Sequence, residues 1–378
     1  MYDLAIIGAS YLQLPLIRKA KNMGCKTHVF AWKADDVGEK EADYFYPISI
    51  VEKDKILEKC KEIGIDGICS IASDLAIITV NYVAQNLGLV SNDLNCTGKS
   101  TNKHLMRRCF EENNDPSPKS YLVENINDIG DKELIFPLIV KPTDRSGSRG
   151  ITKVFDYSEL ETALERAKKE GFDKKALVEE FAEGEEYSVE SISWEGNHTV
   201  LTVTKKYTTG SPNFVETGHL EPSDLSNEQL VKIEAIVKHA LDSLGIQYGA
   251  SHSELKIDDH GNIRIIEIGG RMGGDMIGSD LVELTTGYDF VKAVIDVSLG
   301  KKPETYANKK LQNAGIKFIF NKKDYESFNE IKKNNSVKIT DFSIDGHVDD
   351  KVTDSSNRHG YFIMTSDNAE AIKKILER

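Results

Sequence analysis

The sequence predicts an α/β protein of two or three domains. Three observations carry this. Short apolar runs alternate with helical segments over the first ninety-odd residues, a small α+β unit begins near residue 119, and long alternating strands follow from about residue 188. With 378 residues, 39% of them hydrophobic, the chain can build more than one core.

The elements follow in order. "LAIIG" reads as a first strand, followed by a helix from about Tyr11 to Asn22, the strand "KTHVFAW" and a charged helix near Lys53 to Lys61. "IDGICSI" is a further strand and "LAIITVNYVAQNLG" a further helix. This rhythm predicts a parallel sheet with crossover helices. The segment "GASYLQ" at Gly8 has one glycine of a dinucleotide fingerprint and lacks the other two, which is weak support for a nicotinamide site. "NKHLMRRCFEENN" is a helix ended by "DPSP". In the small unit, "LIFPLIVKP" and "ITKVF" are strands around the loop "DRSGSRG". A helix then starts at a capping box of Ser158 and Glu161, buries Leu160, Ala163, Leu164 and Ala167, and stops at Gly171. "KKALVEEFAEGEEYSVESI" adds two strands joined by a Glu-Gly turn. Beyond it come long strands, the helix "NEQLVKIEAIVKHALDSLG", a hairpin, the helix "DFVKAVIDVSLG", and a tail ending in "GYFIMTS" and "AEAIKKILER".

Bulk properties exclude several functions. A net charge of −13 argues against a nucleic-acid surface, which needs a basic patch. No stretch approaches the ~18–20 apolar residues that span a bilayer. The start "MYDLAIIGAS" lacks a basic flank and reads as a strand instead of a signal peptide, so a cytoplasmic protein is expected. The five cysteines are widely spaced with no C-x-x-C and read as small buried hydrophobes.

Four features carry chemistry. "HSELKIDDHGNIRIIEIGGRMGGD" reads as a β-hairpin. A four-residue loop, Asp259 to Asn262, places Glu254 opposite Glu267. Facing carboxylates about 5 Å apart repel each other, so they either share a proton or hold a hard cation. A loop one residue longer would turn them to opposite faces. In "LIVKPTDRSGSRGITKV", Lys141 ends a buried-looking strand before a Ser/Gly/Arg loop whose backbone N–H groups can approach phosphate oxygens, although its order is not that of a Walker A motif. In "LVEEFAEGEEYSVE", two glutamates end a strand and Glu186 follows the turn at Gly184, suited to ribose hydroxyls or simply a solvated acidic turn. Lys103 is a lone lysine on its helix.

Together and in this order, these features resemble the ATP-grasp superfamily, over roughly residues 1 to 300. The resemblance implies an N-terminal parallel α/β (pre-ATP-grasp) domain at 1–95, a linker helix at 96–118 and a small α+β lid at 119–187. A larger mixed-sheet ATP-binding core at 188–302 and a C-terminal α+β lobe at 303–378 complete the expectation. It further implies ATP and Mg2+ (Mn2+ as an alternative), with Lys103 and Lys141 on phosphates and Ser146, Gly147, Ser148 and Gly150 in the lid loop. Glu179, Glu180 and Ala182 would form the adenine hinge, Glu186 would bind ribose, Glu254 and Glu267 would bind metal, and Arg271 would stabilise the transferred phosphoryl or acyl-phosphate oxygens. One departure stands out: the superfamily ending E-x-N-x-R reads "EIGGR" here, with Gly269 in the Asn position. "EIGGRMGGD" and "FVETGH" are similar to the L-amino-acid ligases, which makes Glu216, His219 and His252 candidate substrate-side residues. The implied activity is ATP-dependent joining of a small-molecule carboxylate to an amine through an acyl phosphate, in a homodimer. Purine-pathway or biotin-carboxylase-like ligases are alternatives, and so is a non-catalytic nucleotide-binding module.

Overall fold

The computed structural model describes every residue except 146, 148, 305, 307–309, 334, 335, 345–347 and 349–351. The first domain is the expected parallel sheet. Its order is β3 (Tyr44–Pro47), β2 (Lys26–Ala31), β1 (Asp3–Ile7), β4 (Gly67–Cys69). Helices α1 (Leu14–Asn22), α2 (Val37–Glu41), α3 (Lys53–Ile63) and α4 (Asp74–Leu87) alternate with these strands. The alternation of apolar runs forecast this rhythm, because both faces of a parallel sheet are covered. Helix α4 has a clear physical start and stop: Ser73 accepts from the Ala76 N–H, and Gly88 ends it in the left-handed conformation at φ 68°. Helices α5 (Leu94–Thr101) and α6 (Lys103–Glu112) lead to the second unit. Asn102 caps α6 through the N–H groups of His104 and Leu105.

The second unit is an antiparallel sheet of order β5 (Ser120–Val123), β8 (Ala176–Glu180), β6 (Leu138–Pro142), β7 (Thr152–Val154), covered by α7 (Leu160–Glu170). The predicted apolar face of α7 is buried at all four positions. The predicted capping box is not what starts it. Asp156 accepts from the Ser158 N–H, a 3-10 turn follows, and Ser158 donates its hydroxyl back to Asp156. An Asx turn two residues earlier outcompetes the serine, because a carboxylate is the stronger acceptor.

The remaining strands form one eight-stranded sheet of order β13-β12-β9-β10-β11-β14-β16-β15. They are β9 (Glu185–Trp194), β10 (Asn197–Thr208), β11 (Glu216–Glu221), β12 (Gly249–Ile257), β13 (Ile263–Gly269), β14 (Asn313–Phe318), β15 (Lys338–Ile344) and β16 (Gly360–Ser366). Every pairing is antiparallel, so the expected mixed sheet is corrected. The sheet also runs unbroken through the strands of 303–378, which join it at β14 beside β11. Helices α8 (Asn227–Leu244), α9 (Val282–Thr286), α10 (Phe290–Ser298), α11 (Lys322–Ile331) and α12 (Ala369–Leu376) complete the chain. Core side chains of α8 and of β9, β12 and β13 meet in one cluster, and α10 packs with the first domain in another. All five cysteines are buried and free. Among the described residues, no helix is long and apolar enough to cross a membrane.

Candidate active site at the meeting of three sheets

Two connected cavities lie where the three sheets converge, of about 180 Å3 and 800 Å3. Asp74, Lys103, Glu254, Glu267 and Arg271 line both. The smaller is bounded by Lys141, Glu179, Glu180, Phe181, Ala182 and Glu186; the larger extends to His219 and Asp275, and Glu216 lines both.

The hairpin brings its two acids together. Glu254 on β12 pairs directly with Glu267 on β13. The register that achieves this differs from the predicted one. Near the turn, Ile257 pairs with Ile263 and Leu255 with Ile265, which would put Glu254 opposite Ile266. A β-bulge between Glu254 and Leu255 restores the offset. The core then takes Ile263, Ile265 and Ile268, whereas Ile266 and Glu267 both face the cavity. Arg107 holds the bulge by donating to the Ile266 carbonyl at 2.6 Å.

Each acid is matched to a lysine. Lys103 Nζ donates to Glu267 Oε1 at 2.7 Å and to the Arg145 carbonyl at 2.8 Å. Lys206, on β10, donates to Glu254 Oε1 at 2.6 Å and lies 3.3 Å from Glu186 and 3.6 Å from Glu216. Burial works against the Lys206 ammonium, but Glu254, Glu186 and Glu216 outweigh it and hold its pKa well above the ordinary lysine value. Burial would raise the Glu254 carboxyl, and Lys206 with His252 instead drives it well down.

On the lid side, Glu179 is buried between two cations: Lys141 Nζ at 2.6 Å and Arg107 Nε at 2.9 Å. Burial pulls the Lys141 pKa below its usual range despite Glu179. Its opposite effect on Glu179 is overcome by Arg107 and Lys141. This buried group carries one cation in excess, a charge pattern suited to an anionic ligand. Glu180 pairs through its N–H with the Lys119 carbonyl, and Ala182 lines the cavity beyond Phe181. Gly147 lines both cavities with Arg145 and Arg149. Gly150 instead packs on α7, where an added Cβ would lie 2.9 Å from Glu170. Ser146 and Ser148 lie outside the described residues.

The substrate-side candidates separate. His252 sits between the buried Glu190 carboxylate and Glu254, 3.4 Å from the latter. Burial lowers its imidazole, and Glu190 more than compensates, lifting the pKa to about 9. His219 is fully buried, held low by that burial, and 3.4 Å from Asp275. Asp275 is itself gripped by Arg358 at 2.6 and 2.9 Å. Glu216 is raised by burial despite Lys206. Arg271 is bound through Nε and Nη2 to Asp74 at 2.8 and 3.0 Å, and burial of Asp74 is outweighed by Arg271, which keeps that carboxylate ionised.

Asp74, Arg107, Glu190, Lys206 and Arg358 were not anticipated. Arg107 had a usable signal, one helical turn beyond Lys103 on the same face. Lys206 had a weaker one, a lysine inside an apolar alternating strand. Asp74 had none, since it comes from another domain. Among the described residues, no group of three or more His, Cys, Asp or Glu side chains is arranged to hold a metal ion. The pair Glu254 and Glu267, with substrate phosphates, is nonetheless a donor set of the type Mg2+ takes.

Comparison with known proteins agrees with this arrangement. Residues 134–280 match the family described as ATP-grasp domain. Alanine–anticapsin ligase of Bacillus subtilis (strain 168) is 27% identical over 308 residues, 72% of this chain and 64% of that protein. The match thus spans just under two thirds of that relative's length. The crystal structure of an L-amino acid ligase from Bacillus licheniformis superposes with a TM-score of 0.83 at 24% identity, covering 100% of this chain and 96% of that one. The phosphoribosylglycinamide synthetase of Anaerococcus prevotii superposes at 0.77 and 22% identity, covering 100% and 97%. At these identities the two structures speak for the fold alone. Within this arrangement, residues 134–280, which carry Lys141, Glu179 and the facing pair Glu254 and Glu267, match the ATP-grasp domain.

Proposed function

We propose that the chain is an ADP-forming carboxylate–amine ligase that joins an amino acid to an amine or a second amino acid through an acyl phosphate. One observation carries this: Glu254 and Glu267 face each other at the junction of two cavities, amid Lys103, Lys206 and Arg271. A carboxylate attacking the γ-phosphate of ATP brings two anions together, and such transfers depend on positioning and charge stabilisation. In the proposed reaction a substrate carboxylate oxygen bonds to the γ-phosphorus as its bond to the bridging oxygen breaks, releasing ADP. The amine nitrogen then attacks the acyl carbon, phosphate leaves with the bonding pair, and the amine loses a proton.

Lys103 and Lys141 are assigned to the phosphates, and the hinge from Glu179 to Ala182 with Glu186 to the nucleoside. Glu254 and Glu267 would hold Mg2+, which would offset phosphate charge when bound. Gly269 adds no donor, which favours one tightly held metal. The sheet of β5 to β8 is assigned the part of a lid that keeps water from the acyl phosphate.

The test is phosphate release from Mg·ATP across amino-acid pairs, bicarbonate, and phosphoribosylamine with glycine. Release stimulated by amino acids, with a coupled product of matching mass, is expected. Stimulation by either of the other arms would point to the purine-pathway or biotin-carboxylase-like reading, and none in any arm to a nucleotide-binding module. Glu267→Gln and Lys141→Ala should each weaken Mg·ATP binding; wild-type binding by both would refute these assignments.

A further inference from the structure

Gly269 and Arg271 meet the first domain at a contact the reaction above does not use. A Cβ on Gly269 would lie 2.7 Å from Asp74 Oδ1 and 3.2 Å from the Arg271 guanidinium. The volume that a side chain at 269 would occupy is therefore filled by a carboxylate from the first turn of α4. Asp74 engages Arg271 fork to fork, Oδ1 accepting from Nε at 2.8 Å and Oδ2 from Nη2 at 3.0 Å. The third guanidinium nitrogen, Nη1, donates to the Met272 carbonyl at 3.3 Å. That same carbonyl accepts the Ala72 N–H at 3.2 Å, and Ala72 takes φ 59° to make the bond. The loop before α4 is thus joined to the 271–272 segment through both side chain and backbone.

We propose that Asp74 is a positioning residue that aims Arg271 at the reacting groups from the N-terminal domain, in the space that Gly269 leaves open. This rests on the ligase function proposed above and on the expected part of Arg271 in stabilising the transferred phosphoryl or acyl-phosphate oxygens. A free arginine samples many rotamers. One held at Nε, Nη2 and Nη1 presents a fixed charge, which is what stabilisation of a developing anion requires. Glycine at 269 follows from the same arrangement, since any side chain there would drive Asp74 off the guanidinium. Asp74, Gly269 and Arg271 act as one unit.

Two measurements on the full chain test this. In thermal unfolding, Gly269→Ala is expected to lower Tm by several degrees in the wild type and by far less in an Asp74→Ala background, because the clashing oxygens are gone. Equal shifts in both backgrounds overturn the shared-space assignment. In turnover, Asp74→Asn keeps the side-chain volume but loses the charge. It should lower kcat for amino-acid-dependent phosphate release by about tenfold or more while the Kd for a non-hydrolysable Mg·ATP analogue stays within about twofold. Added to Arg271→Lys, it should lower kcat no further. Unchanged turnover, an equal loss of nucleotide affinity, or additive losses overturn the positioning role. If the wild type releases no phosphate with any carboxylate, the ligase function itself falls, and the catalytic half of this proposal with it. A wild type that turns over normally beside an indifferent Asp74→Asn overturns Asp74 alone.

Discussion

Glu221 illustrates how far a single buried carboxyl can be held from its ordinary state. It is fully buried and bonded to neutral partners, accepting from the hydroxyls of Thr204 at 2.7 Å and Thr285 at 2.6 Å. Burial lifts its pKa to about 8, opposed by those hydroxyls. The folded protein therefore retains a proton that the unfolded chain releases above its usual pKa of 4.5. Stability should fall as pH rises from about 4.5 to about 8, the window between the two values. Glu221→Gln should abolish that slope, as thermal melts at pH 5 and pH 8 will show. Lys206 presents the opposite case, one buried ammonium among three carboxylates. Lys206→Met leaves those charges uncompensated and should destabilise by about 3 kcal/mol. Added Mg2+ should recover more Tm in this variant than in the wild type. The acids Glu254 and Glu267 were legible because hairpin chemistry is local. The lysine that answers Glu254 and the aspartate that holds Arg271 were not, since Lys206 and Asp74 reach the site through pairings between distant segments.

At the scale of elements, α6 and the hairpin work together. One face of α6 presents Lys103 to Glu267 and Arg107 to both Glu179 and the bulge carbonyl of Ile266. Arg107→Met leaves Glu179 and Lys141 as a neutral pair, so the fold should survive. The bulge loses its anchor, however, and Mg·ATP affinity should drop by about tenfold, measurable by calorimetric titration. The turn between β8 and β9 depends on Gly184, which has φ 106° and whose Cβ would lie 2.1 Å from the Ile257 carbonyl. Gly184→Ala should cost about 2–4 kcal/mol by strain and overlap, read from urea unfolding. The sequence announced this turn but not its reason, because the obstructing carbonyl belongs to the hairpin. Periodicity likewise found the buried face of α7 and missed its cap, which competing Asx chemistry decides over two residues.

For the molecule as a whole, the cleft needs all three sheets. The first supplies Asp74, the second Lys141 and Glu179, and the third both acids, Lys206 and Arg271. The parallel first sheet was legible from its alternation of strands and helices, since each crossover leaves its own periodic signal. The eight-stranded sheet was not, because antiparallel strands from 185 to 366 choose partners by packing over long separations, and nothing in their sequences marks β14 as joining β11 or β16 as joining β14. If the second sheet acts as the lid, Mg·ATP should protect the loop around Arg145 and Gly147 from limited proteolysis, and Lys141→Ala should reduce that protection. Equal cleavage rates with and without nucleotide would count against closure.

The bulge at Ile266 has a consequence for how this hairpin tolerates change. Side chains along a strand alternate like odd and even numbers, and Ile266 switches parity once, just before Glu267. The turn and the acid pair therefore keep separate counts. Two residues could be added at the tip beyond Asp258 and Asn262 while Glu254 and Glu267 stay matched. Removing Ile266 alone would return the strand to strict alternation, with Glu267 next after Ile265 and still opposite Glu254, and the loss would fall on the carbonyl that Arg107 grips.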